Sequence, residues 1–181
     1  MLYHISEEPG ITRFDPRPAA GYPDPVVWAV DDTHLRNYLL PRDCPRVTFF
    51  VGTSTEPRDI DRFLGSSTAV VAFEASWLDR VRNTRLFRYH LPDTTFSCVD
   101  RCAGYFHSTH AVIPERVDLI DDLLAAVASR NVEFRVLPSL WHLHDAVVAS
   151  TLGYSIIRMR NATPRDAADS PPPAPQKART P

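Results

Sequence analysis

The chain has 181 residues, the size of one domain and enough to bury a sizeable apolar core. Its net charge of -2 at pH 7 argues against a nucleic-acid surface built on bulk charge, and no apolar run approaches the ~20 residues that a membrane helix needs. Three cysteines, in a chain whose start lacks a basic segment followed by an apolar one, read as reduced thiols and predict a cytoplasmic protein.

The first element is predicted at once. "LYHIS" (2–6) alternates as a strand, with Tyr3 and Ile5 on one face and His4 and Ser6 on the other. A proline-punctuated loop follows, anchored by Ile11 and Phe14, and leads into a short buried strand, "VVWAV" (26–30). "DDTHLRNYLL" reads as a helix capped by Asp31 or Asp32, with Leu35, Tyr38 and Leu39 turned inward. Strands are expected at 47–51, 69–75 and 85–91, with a helix in "TEPRDIDRFL" and a turn or helix in "SWLDRVR" between them. Residues 97–110 are rich in cysteine and histidine and include the strand-like "AGYF". "VDLIDDLLAAVASRN" puts Ile120, Leu123, Leu124 and Val127 on one helical stripe. "EFRVLP" is strand-like, "SLWHLHDAVVASTLG" is a helix capped by Ser139 and stopped at Gly153, and "YSIIRMR" (154–160) is the closing strand. With no regular strand–helix–strand alternation, the fold class is α+β, one domain over 1–161. Residues 162–181 hold six prolines and almost nothing apolar larger than alanine, which predicts a disordered tail.

Several constellations are weighed against plain structural roles. Cys98, Cys102, His107 and His110 offer a zinc-type ligand set and hence a zinc-stabilised interaction module, but the cysteine spacing is wider than in the usual knuckle and no metal is assigned. His142 and His144 are two apart on a helix and point to nearly opposite sides, so His144 beside Asp145 reads as a hydrogen-bonded pair at the core edge. There is no nucleophile elbow, no Walker loop and no G-x-G-x-x-G, so a phosphate would fall to arginines or isolated backbone amides. Two sets are available: Arg42 with Arg46 in a Pro-flanked loop, and Arg158 with Arg160, two apart on the closing strand.

"YHIS", followed by "VVWAVDDTHLRNYLL" and later by "AGYFHSTHAVIPERVDLI", resembles the ADP-ribosyltransferase fold, nearest in element order to the rifampin-modifying type. The chain over about 1–162, including "PRDCPRVTFF" and "WHLHDAVVASTLGYSIIRMRNA", also resembles a bacterial family of unknown function, the DUF6886 type. The transferase resemblance implies a split β-sheet core with peripheral helices and NAD as substrate or ligand. His4 would then anchor a ribose with Ser6 beside it, Trp28 would stack on nicotinamide, Tyr38 would be a second aromatic wall, and Arg42 or Arg46 would contact the pyrophosphate. Most such proteins carry a glutamate on the strand matched here by "GYFHS", and this chain has none there. Asp93 or Asp100 is the substitute, with Asp100 taken as the electrostatic partner of the cation and His4 and Asp100 as the catalytic pair. The resemblance therefore implies transfer of ADP-ribose to a small molecule or nucleic acid, or hydrolysis of NAD, with a non-catalytic nucleotide-binding or regulatory domain as the alternative.

Overall fold

Short runs rich in β-branched and aromatic residues build two sheets, as described by a computed structural model covering residues 1–165. The strands are β1 (Leu2–Ser6), β2 (Val27–Val30), β3 (Arg46–Phe50), β4 (Ala69–Glu74), β5 (Leu86–Leu91), β6 (Ser97–Asp100), β7 (Tyr105–Ser108), β8 (Arg116–Ile120), β9 (Glu133–Leu137) and β10 (Gly153–Ile157). The helices are α1 (Pro57–Phe63), α2 (Leu78–Asn83), α3 (Leu123–Ala128) and α4 (Trp141–Val148). The larger sheet runs β6-β7-β2-β1-β5-β8 and the smaller β10-β3-β4-β9, in which only β4 and β9 are parallel. The fold is α+β, as the order of elements predicts.

Strand alternation sorts side chains into three apolar layers. Tyr3 and Ile5 face a central core between the sheets that contains Val71, Phe73, Leu35, Leu86 and Val127. On the outer face of the smaller sheet, Val47, Phe49, Val70 and Ala72 pack against Phe63 at the end of α1 and Val147 of α4. Leu2, Ala29, Tyr89 and Leu91 line the outer face of the larger sheet, where Ile11 and Phe14 cover them. The proline-rich loop is thus a lid over apolar surface, held further by the Tyr89 hydroxyl, which donates to Glu8 O at 2.7 Å and accepts from Ile11 N at 3.1 Å.

Four expectations are corrected. The helix predicted after β2 is only a 3₁₀ turn, Leu35–Tyr38. An α-helix would need the amide of residue 41 to donate to Asn37 O; Pro41 has no N–H, and Arg46 Nε donates to that carbonyl instead, at 2.7 Å. The helix expected over 117–131 splits into β8 and a shorter α3 because Asp122 caps the helix, accepting from Ala125 N at 2.9 Å, while Arg116–Ile120 pairs with β5. Gly153 opens β10 rather than stopping α4, and Ser139 is displaced as N-cap by Leu140. The closing strand ends at Ile157: Arg158 turns left-handed at φ 59°, so Arg158 and Arg160 do not share a strand face.

Residues 166–181 of the expected tail lie outside the described residues. The described start of that segment is docked. The carboxylate of Glu74, fully buried, accepts from Thr163 N at 2.9 Å and Thr163 Oγ1 at 3.0 Å, and Trp141 Nε1 donates to Thr163 O at 2.8 Å. Among the described residues no helix is long and apolar enough to cross a membrane.

Candidate functional site

β1 pairs with β5 along its whole length, from Leu2–Leu91 to Ser6–Phe87, but meets β2 in one registered pair, Tyr3 with Val30. Beyond that pair the two strands part. His4 fills the opening: its Nδ1 lies 3.0 Å from Trp28 O, taking a carbonyl that a continued ladder would have offered to the β1 backbone. A carbonyl only accepts, so Nδ1 carries the proton and Nε2 is left as an acceptor. Burial lowers the His4 pKa below the ordinary 6.5, with Arg42 and Arg17 adding to the effect against the Trp28 hydrogen bond. The imidazole is therefore neutral at pH 7. Phe14 holds its ring at a centroid distance of 4.8 Å.

The split opens into a cavity of about 350 Å³ lined by Tyr3, His4, Ile5, Trp28, Ala29, Val30, Tyr38 and Tyr105. That volume lies within the roughly 300–1,000 Å³ typical of small-molecule sites. Four aromatic side chains come from four different elements: Tyr3 from β1, Trp28 from β2, Tyr38 from the 3₁₀ turn and Tyr105 from β7. Trp28 and Tyr105 stand 6.2 Å apart and Tyr38 and Tyr105 6.4 Å apart by ring centroid, edge-on or tilted, and Tyr22 packs edge-on with Trp28 at 5.1 Å. Burial, with Tyr105 beside it, raises the Tyr38 hydroxyl well above the ordinary tyrosine value, so it stays protonated.

A second pocket of about 190 Å³ shares the His4, Ile5 and Tyr38 wall and adds Ser6, Glu7, Arg42, Arg46 and Arg158. The first arginine set of the sequence and one member of the second thus meet: Arg42 and Arg46 arrive from one side and Arg158 from the end of β10, while Arg160 does not line the pocket. Arg46 is 3% exposed, and it donates through Nε to Asn37 O at 2.7 Å and through Nη1 to Pro41 O and Cys44 O, both at 3.0 Å. Glu7 Oε1 accepts from Arg42 N at 2.7 Å, which fixes the loop against β1.

A protein-family model described as a family of unknown function, DUF6886, matches residues 3–162, a span that holds both pockets. The chain belongs to DUF6886. No curated protein and no solved structure matches it, so the likeness to ADP-ribosyltransferases rests on the quoted motifs alone.

Within this DUF6886 chain the remaining expected site residues lie elsewhere. Asp100 does not line the His4 cavity. It ends β6, its Oδ1 accepts from Cys102 N at 2.8 Å and Ala103 N at 3.1 Å, and it borders a separate groove of about 720 Å³ with His34, Arg101 and Cys102. Asp93 pairs with the Met1 amino group at 2.7 Å, which holds its carboxyl below the ordinary aspartate value. Cys98 stands opposite Phe106 and His107 opposite Ser97, so Cys98 and His107 face opposite sides of the sheet. Among the described residues no group of three or more His, Cys, Asp or Glu side chains converges as a metal site. Burial raises the Cys44 thiol to about 12, leaving it protonated and inert. His144 Nδ1 and Asp145 Oδ1 lie 2.9 Å apart, and Arg165 clamps the same carboxylate, so this pair is a structural contact.

Tyr105 was not legible as a site residue. It sits in "AGYF" two residues before His107, and its alternation could place it on a face but not beside Trp28. Gly104, just before it, carries a positional signal that is clear only in space. Its φ is +66°, and an added Cβ would overlap His34 Nδ1 and lie 2.8 Å from Asp31 Oδ2.

Proposed function

We propose that this DUF6886 protein binds a nucleotide in the split between β1 and β2, with NAD the first candidate. The observation that carries the reading is the opening of the sheet at His4, where a neutral, oriented imidazole, an aromatic cavity and an arginine pocket share one wall. Each part matches one part of such a ligand. Aromatic faces stack on a planar base, the acceptor Nε2 of His4 takes a ribose hydroxyl, and guanidinium groups take phosphate oxygens. Trp28 and Tyr38 are the stacking residues, Ser6 supports the ribose contact, and Arg42 and Arg46 supply positive charge.

If the ligand turns over, the chemistry is glycosyl transfer. The C1′–N bond breaks with its electron pair leaving on nicotinamide, C1′ takes an oxygen from water or an acceptor, and that nucleophile releases its proton. Positive charge develops on the sugar, so a nearby carboxylate would stabilise the transition state. Among the described residues no carboxylate lines the aromatic cavity, and Glu7 in the adjoining pocket is the acid best placed to serve. That lining favours a second reading, a binding domain without turnover.

Thermal unfolding of the full chain in the presence of NAD separates these readings. A ligand that binds only the folded state raises the melting temperature by mass action, and Trp28→Ala should abolish the rise. Release of free nicotinamide that is lost in Glu7→Gln but kept in Asp100→Asn marks an enzyme; a shift without release marks a binder. No shift with NAD or with any mononucleotide sinks the proposal.

A further inference from the structure

The pocket beside His4 contains a charge whose partner is missing. Arg46 carries a buried guanidinium, and among the described residues no carboxylate lies within ion-pair distance of it. Its Nε and Nη1 hydrogens go to the carbonyls of Asn37, Pro41 and Cys44, while Nη2 makes no hydrogen bond to the described residues. A buried cation held only by neutral carbonyls is costly, and burial pulls its pKa down to about 10. Such charges are ordinarily paired.

Two further arginines reach the same pocket. Arg158 lies at its edge in a left-handed backbone conformation, φ 59°, its Nε 3.4 Å from Arg42 O and a loose 3.9 Å from Asp43 Oδ1. The Arg42 guanidinium makes no hydrogen bond to the described residues. Glu7 is the one acid among the lining residues; one of its oxygens is taken by the Arg42 amide and the other lies 3.9 Å from Arg80.

We infer that Arg46, Arg42 and Arg158 form a built anion site for a phosphate or pyrophosphate group, whose occupant completes the Arg46 pairing. Nη2 of Arg46 is the donor left over at the pocket wall, and Arg42 and Arg158 supply the further positive charge. Assigning that anion to the ligand of the aromatic cavity rests on the nucleotide reading. On that reading the shared His4–Tyr38 wall sets the direction of the ligand, its base among Trp28, Tyr38 and Tyr105 and its phosphate against Arg46.

The test is thermal unfolding of the full chain with inorganic pyrophosphate, inorganic phosphate, NAD or adenosine, at matched ionic strength. Pyrophosphate should raise the melting temperature of the wild-type protein. Arg42→Gln and Arg158→Gln should each weaken its apparent affinity about tenfold, the effect of losing roughly one charge-assisted contact. Because Arg46→Gln also loses its carbonyl links and can fail to fold, the other two variants carry the test. Absence of a pyrophosphate shift, or a shift unchanged in the Arg42→Gln/Arg158→Gln double variant, overturns the anion site. If adenosine still stabilises the protein in that case, the aromatic cavity survives without it. If pyrophosphate binds through the arginines while neither NAD nor adenosine does, the anion site stands for a free phosphate and the nucleotide reading fails.

Discussion

The two sheets differ in how completely their strands are paired. In the smaller sheet β3 is registered along its whole length with β4 on one side and β10 on the other, and β4 from Val70 to Glu74 with β9. Its residues Val47, Phe49, Val70 and Val71 are fully buried; the buried Glu74 within it anchors Thr163, and the buried Thr48 Oγ1 makes no hydrogen bond to the described residues. The larger sheet is just as continuous between β1 and β5, yet it opens between β1 and β2 after one pair. A closed ladder satisfies backbone groups internally and leaves side chains only packing to do. An open one exposes carbonyls that side chains must answer, and His4 does so. At this split a polar side chain and free volume meet where the pairing stops.

This contrast predicts that substitutions in the apolar interior of the smaller sheet cost stability, whereas those at the split, and at Arg46 where β3 begins, alter ligand response. Phe73→Ala, which empties a fully buried site in the central core, should cost about 3–5 kcal/mol in chemical denaturation. Nucleotide-induced stabilisation should persist in whatever fraction remains folded; its loss would mean that the two sheets are not separable in function. Gly104→Ala should cost about 1–3 kcal/mol for the left-handed backbone. It should also weaken nucleotide binding, because it displaces His34 and the start of β7 that carries Tyr105. A variant that keeps both stability and binding would remove Gly104 as a positional constraint.

The smallest expected effect is on pH dependence. The His4 pKa is lowered in the folded state, so below the unfolded value of 6.5 the unfolded chain binds the proton more readily. The contribution of neutral His4 is fully present above that pH and is lost as pH falls toward the folded value. His4→Gln should flatten the stability profile on the acid side of 6.5, as read from denaturation midpoints between pH 5 and 8. An unchanged profile would mean that the imidazole titrates as an ordinary exposed group.

Much of this architecture was legible in the residues. Alternation in "LYHIS", "VVWAV" and "AVVAFEA" identifies strands and their faces, because the side-chain period of a strand is a local property. The errors came where a distant group overrode a local preference. Helical spacing over residues 31–40 was real, but Arg46 takes the Asn37 carbonyl across the loop. The apolar stripe over 117–131 is present too, but β5 recruits its first part as an edge strand.

The sequence by itself determined the α+β class, the two-faced first strand, and which residue types could stack on a base or hold an anion. Only the tertiary structure decided which of them meet. It brought Tyr105 to Trp28 and Arg158 to Arg46, and it set Asp100 in a different groove. The physical reason is that facing is fixed by backbone period within one strand, whereas adjacency between strands depends on register and on where a ladder stops. Here it stops after the Tyr3–Val30 pair, and His4 fills the opening.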